Sequence, residues 1–158
     1  MKPLCATLSR LRPAAPIILR VILGGLFVWH GVDKFQSGID MVESMFDMWG
    51  VPLPGLAAPL VAVVEIVGGI ALILGLMTRA SAMVLSVVMI GALVYVKGDV
   101  GLIPMDAAGA EVDLAYLGGL LALVALGPGP LSVDMAMGIE ADDLRPATTP
   151  SERTAVSV

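Results

Sequence analysis

Four stretches of this chain are long and apolar enough to cross a lipid bilayer: residues 14–32, 56–77, 80–96 and 112–126. A hydrocarbon core of ~30 Å takes about 20 mostly apolar residues per helix. A spanning backbone must satisfy its own hydrogen bonds, so such stretches fold as helices. Composition agrees. The chain of 158 residues is 58% hydrophobic and only 15% charged, with a mean hydropathy of +0.94. A soluble domain carries about a quarter charged residues. The expected fold is all-α: an integral membrane four-helix bundle over residues 14–134, after a basic leader (1–13) and before a flexible, polar, cytoplasmic tail (135–158) rich in Pro, Ser and Thr.

Punctuation sets the ends. Gly127-Pro128-Gly129-Pro130 stops the fourth stretch, since no helix continues through it. Only Thr78-Arg79 separates the second and third, which predicts a tight antiparallel hairpin. In the long loop after the first stretch, Val42, Met45, Phe46 and Trp49 recur at helical spacing. This pattern predicts a short amphipathic helix in the outer interface, ended by Gly50 and Pro52.

Charge placement orients the whole. With four crossings, Lys2, Arg10, Arg12, Arg20, Arg79, Arg145 and Arg153 fall on one side, and only Lys34 and Lys97 on the other. Basic residues stay cytoplasmic, so both termini are expected inside, in a multi-pass protein of the cell inner membrane. Arg10, Arg12 and the leader prolines argue against a cleaved signal peptide. The net charge of −5 sits in loops and tails, and no nucleic-acid partner is expected.

Three ionisable residues interrupt the apolar stretches: Arg20, His30 and Glu65. At bilayer depth each costs ~2.5–3.5 kcal/mol on insertion scales, so each is expected to face the bundle and find a partner. At ~1.5 Å per residue, Arg20 and His30 both come within about 8 Å of Glu65 in depth. Gly24, Phe27, Gly31 and Lys34 share the Arg20 face, with Trp29 opposite, toward lipid. Around Glu65 lie Ala58, Ala62, Gly68, Gly69 and Leu76, a small-residue face that permits close helix approach. Two readings of Glu65 stand level here. One is a structural Arg20–Glu65 ion pair that fixes helix register. The other makes Arg20, His30 and Glu65 the lining of a proton or quinone site.

Other chemistry is constrained more simply. A single histidine rules out bis-histidine haem within one chain, so no haem is expected. Met41, Met45 and Met48 have the ligand type for Cu(I) but fit an interfacial apolar face better, so no metal site is expected. Cys5 is alone and fits an inert thiol. Lys34 and Lys97 are expected to snorkel to the outer interface.

Three ordered motifs carry a resemblance. They are Arg20-x3-Gly24-x2-Phe27-x2-His30-Gly31-x2-Lys34-Phe35, Glu65-x2-Gly68-Gly69-x5-Gly75-x2-Thr78-Arg79, and Gly127-Pro128-Gly129-x2-Ser132-x-Asp134. Together they resemble the DoxX family of small bacterial membrane proteins. The resemblance implies four helices in the cytoplasmic membrane, with Arg20, His30, Lys34, Glu65 and Arg79 as the family-like polar positions. It implies a link to quinone-dependent redox complexes or to redox and oxidative-stress partners. Many members carry a histidine near the outer end of the third helix, where this chain has Lys97-Gly98-Asp99. The expected function is an auxiliary membrane subunit of a redox complex, with quinone as the candidate cofactor and a redox partner protein beside the lipid bilayer. A non-catalytic scaffold for soluble partners is the alternative. Small-solute transport would need a homo-oligomer, since no inverted repeat or broken helix pair is evident.

Overall fold

The computed structural model describes residues 13–98 and 109–139. The basic leader with Cys5, the acids Asp99 and Asp106, and the tail from residue 140 onward lie outside the described residues. Within them the chain is helical throughout, with no strand.

Helix α1 spans Ala14–Gln36, four residues beyond the expected end. That extension places Asp33 and Lys34 on the helix, with Lys34 in its last turn, where a cation complements the helix dipole. Ser37-Gly38 turns the chain into α2, Ile39–Met48. This is the expected amphipathic helix. Val42 and Phe46 are buried against Ala58 on the next helix, with Trp49 and Val51 packed around them. It ends in a Schellman cap: Gly50, at φ +72°, donates to the Asp47 carbonyl and Val51 to that of Phe46.

Helix α3, Pro54–Leu74, opens on a proline at its first position, where the missing N–H costs nothing. Gly75 ends it at φ +69°, and Leu76 donates back to the Ala71 carbonyl. The hairpin turn is therefore Gly75-Leu76-Met77, not Thr78-Arg79 as the spacing suggested; Thr78 is already the first residue of α4, Thr78–Gly91. Helix α4 passes without a break into a π-helical turn, Ala92–Val96, where Lys97 donates five residues back to Ala92 at 3.0 Å. Helix α5 spans Ala110–Leu126, and a last short helix, α6, spans Val133–Ala136.

The four long helices pack in a ring, α1 on α3, α3 on α4, α4 on α5 and α5 back on α1. Leu23, Phe27, Leu72, Leu85, Leu120 and Leu123 fill the centre. The outward faces carry exposed aliphatic side chains, and Trp29 is 69% exposed on the side opposite Arg20. Such a surface suits lipid, not water. Three helical spans are long and apolar enough to cross a membrane: Ala14–Gln36, Pro54–Leu74 and Thr78–Val96. Helix α5, with 17 residues, is shorter.

Candidate functional site

The site begins with glycine. A Cβ on Gly24 would stand 2.5 Å from the Gly69 carbonyl oxygen, and one on Gly31 would stand 2.6 Å from that of Ala62. Backbones this close admit no side chain between them, so α1 and α3 meet along the seam Gly24–Gly69 and Gly31–Ala62. This is the small-residue packing by which membrane helices associate. It also fixes which polar groups meet.

Along that antiparallel seam, Glu65 is level with about residue 28 of α1. Arg20 lies about 12 Å toward one end and Lys34 about 9 Å toward the other. Helical side chains lean toward their own N-terminus. Lys34 therefore leans toward Glu65, and Arg20 leans away from it. The observed ion pair is accordingly Lys34–Glu65, Nζ to Oε2 at 2.6 Å, with Glu65 buried and Lys34 partly exposed. Lys34 Nζ also lies 3.4 Å from the His30 carbonyl. The Arg20–Glu65 pair, one of the two readings of Glu65 that the sequence left level, does not form, and Lys34 turns to Glu65 instead of snorkelling outward.

Arg20 sits instead at the other end of the bundle. Its guanidinium, 2% exposed, donates to the carbonyls of Pro128, Leu131 (3.1 Å) and Ile73 (3.5 Å). Beside it, buried Asp134 accepts from the Met77 and Thr78 N–H groups at 2.6 and 2.8 Å and from the Thr78 hydroxyl at 2.9 Å. The Asp134 N–H donates to Gly75 at 2.9 Å. Ser132 caps α6 by accepting from the Met135 N–H. The segment after α5 is thus latched onto the α3–α4 turn. Arg20 and Asp134 complete a fastening there, apart from the Lys34–Glu65 pair.

The pair and His30 border a cavity of about 910 Å³ between α1, α2, α3, the C-terminal half of α4 and α5. Its walls are mostly apolar, from Met45, Phe46 and Trp49 through Val64 and Val88 to Tyr95 and Tyr116. The His30 ring stands edge-on to Tyr116, centroids 6.0 Å apart. Asp33, Lys97 and Asp113 add charge on the same wall system. Arg20 does not line it. Met41 and Met45 do, whereas Met48 is 76% exposed, so the three thioethers do not share one site. A concave, largely apolar chamber with a few polar groups is the usual form of a small-molecule site.

Sequence reasoning brought His30 and Glu65 to this site but missed Lys34 as the partner, for which the N-terminal lean of helical side chains was the available signal. It missed Tyr116, because nothing local in α5 says which of its faces meets His30.

The comparisons with known proteins fit this architecture. The DoxX description matches residues 15–98. The chain is 36% identical over 132 residues to the uncharacterized membrane protein Rv3486 of Mycobacterium tuberculosis, covering 77% of this chain and 80% of that one. It is 35% identical over 82 residues to the Bacillus subtilis protein named "Putative oxidoreductase CatD", covering 51% of this chain and 58% of that one. Over 128 residues it is 28% identical to the inner membrane protein YphA of Escherichia coli, covering 78% of this chain and 90% of that one. No solved structure matches it. By motif, by helical architecture and by this extended similarity, the chain belongs to the DoxX family.

Proposed function

We propose that this protein is an auxiliary membrane subunit of a redox complex, and that its cavity receives the head group of a quinone. The observation that carries the reading is the cavity itself: about 910 Å³, mostly apolar, with the Lys34–Glu65 pair and His30 on its walls. A quinone head offers two carbonyl oxygens and a flat apolar ring. The Lys34 ammonium donates to one oxygen, while Phe46, Trp49 and Tyr116 provide aromatic surface for the ring. Reduction takes two electrons and two protons per quinone. The electrons come from the partner protein of the complex; Glu65, His30 and Lys34 hold and pass protons. The relative named as an oxidoreductase favours this class of chemistry.

The reading includes a topology. Helix α5 is taken as a fourth crossing, at the lower end of the length a bilayer needs. The excess of basic residues on one side puts both termini in the cytoplasm, in a bacterial inner membrane. The cavity, at the Lys34 end, then faces the outer half of the bilayer.

The test is a titration of the full chain in lipid nanodiscs with a short-chain, water-soluble quinone. Saturable quenching of tryptophan fluorescence is expected, weakened at least tenfold in Glu65→Gln and in Lys34→Met, with both variants still inserted and helical. Quenching that does not saturate, or that is unchanged in both variants, refutes the proposal.

A further inference from the structure

The cavity has a second side. Its lining includes Leu60 on α3 and Val84 and Val87 on α4, which are 55%, 50% and 69% exposed on the outer surface of the bundle. The same side chains therefore wall the chamber and face the surrounding medium, so the chamber opens through the cleft between α3 and α4. At the hairpin end the two helices are in contact, where a Cβ on Gly68 would meet Leu85 at 3.1 Å. Toward the other end Leu60, Val61 and Val64 of α3 and Val87 and Val88 of α4 border the chamber. Gly91 borders the cavity, and a Cβ there would meet nothing within 4 Å. Just beyond it, α4 widens into the π-helical turn Ala92–Val96, and Tyr95 from that turn lines the chamber.

Leu60, Val84 and Val87 make this part of the rim aliphatic, whereas His30, Lys34, Glu65 and Asp113 belong to α1, the interior of α3 and the start of α5, and Lys97 follows the π-helical turn. Val87 stands about 13 Å along α4 from its first residue, near the middle of the apolar layer for a helix crossing a core of ~30 Å. A chamber whose charged groups stand away from an aliphatic opening at mid-bilayer depth is shaped for an amphiphile. Head and tail lie in different solvents.

We propose that the α3–α4 cleft is a lateral portal through which a ligand with one long apolar chain reaches the cavity from the bilayer, its chain staying in the cleft against Val87 and Gly91. This rests on the quinone reading and narrows it to prenyl-tailed ligands held by head and tail together. Val84, Val87 and Gly91 become the residues that select for the tail.

The experiment uses the full chain in nanodiscs and the variants Val87→Trp and Val84→Trp, whose lipid-facing positions accept a larger side chain without disturbing the core. Ile70→Trp, 45% exposed and away from the cavity, controls for bulk. A long-chain prenylquinone is expected to bind at least tenfold more weakly to the two rim variants, and a tailless quinone to bind all three within twofold of the parent. Equal binding of the long-chain ligand to all proteins, or equal loss of both ligands, overturns the portal. A phospholipid carrying a diazirine at the end of its acyl chain reads the portal without any quinone. Photolabelling of Tyr116, on the wall that α5 contributes, is expected in the parent and lost in Val87→Trp. Labelling confined to the outer surface in the parent overturns the portal. If neither quinone binds the parent but Tyr116 is labelled, the quinone reading fails and the portal stands.

Discussion

At the scale of single residues, the most consequential contact is Lys34–Glu65, because the Glu65 carboxylate is buried and the partly exposed Lys34 supplies its counter-charge. Removing one partner leaves a buried charge, which costs more than removing both. Lys34→Met and Glu65→Leu are each expected to destabilise the protein by about 3 kcal/mol, and the double variant by clearly less than either. Thermal unfolding in detergent measures this; strict additivity would show that the two groups do not interact. Asp134 offers a second case. Asp134→Ala strands the buried Thr78 N–H, the part-buried Met77 N–H and the Thr78 hydroxyl, and about 3 kcal/mol of stability is expected to go with them. Thr78→Val, which keeps the backbone contacts, is expected to cost about 1 kcal/mol. How well the sequence announced these contacts differs for a physical reason. Phe27 toward the core and Trp29 toward lipid follow from 100° per residue alone. The partner of Glu65 depends on which way side chains lean across a seam between two helices, and a depth estimate made on Cα positions misplaces it by a full side-chain length. Asp134 was visible as part of a motif, but its role needs a turn that lies 56 residues earlier.

Elements show the same division. Helices α1 to α5 follow from apolar runs and their glycine and proline stops, and the amphipathic α2 follows from Val42, Met45, Phe46 and Trp49. Spacing does not reveal that a chamber lies beside α3 and α4, nor that α4 becomes π-helical at Ala92, because both depend on what packs against what. The α1–α3 seam, by contrast, gives a sharp expectation. Gly24→Val drives a side chain into the Gly69 carbonyl and must separate the helices, with an expected loss of about 1–3 kcal/mol and of the Lys34–Glu65 contact. Gly25→Ala, one residue round on the open face, meets nothing within 4 Å and is expected to be neutral or slightly stabilising. Circular dichroism melts of the two variants decide it; equal effects would mean that the seam is not close-packed.

For the whole molecule, the two polar clusters define two ends. One holds Arg20, Thr78 and Asp134 in a fastening around the α3–α4 turn; the other holds His30, Lys34 and Glu65 at a chamber. The topology proposed above, with both termini inside, would put the fastening on the cytoplasmic side and the chamber in the outer half. A green fluorescent protein fused after residue 139 is then expected to fluoresce, and alkaline phosphatase inserted between residues 98 and 109 to be active. The reverse pair of results would invert the molecule. The chamber's charges come from α1, α3, α5 and Lys97 at the end of α4, and its aliphatic rim from α3 and α4, so no single helix carries the site.

The fastening also has a consequence for how the protein is made. Thr78 leaves the ribosome 56 residues before the aspartate that caps it, an interval of about 3–11 s at ordinary rates of synthesis. Throughout that interval Arg20 lacks the carbonyls of Pro128 and Leu131, and the N-terminus of α4 lacks its acceptor. The nascent chain is therefore an open assembly until nearly its last membrane-embedded residue has been added. A chain cut short before Ser132 presents the quality-control proteases of the membrane with an uncovered arginine and an uncapped helix.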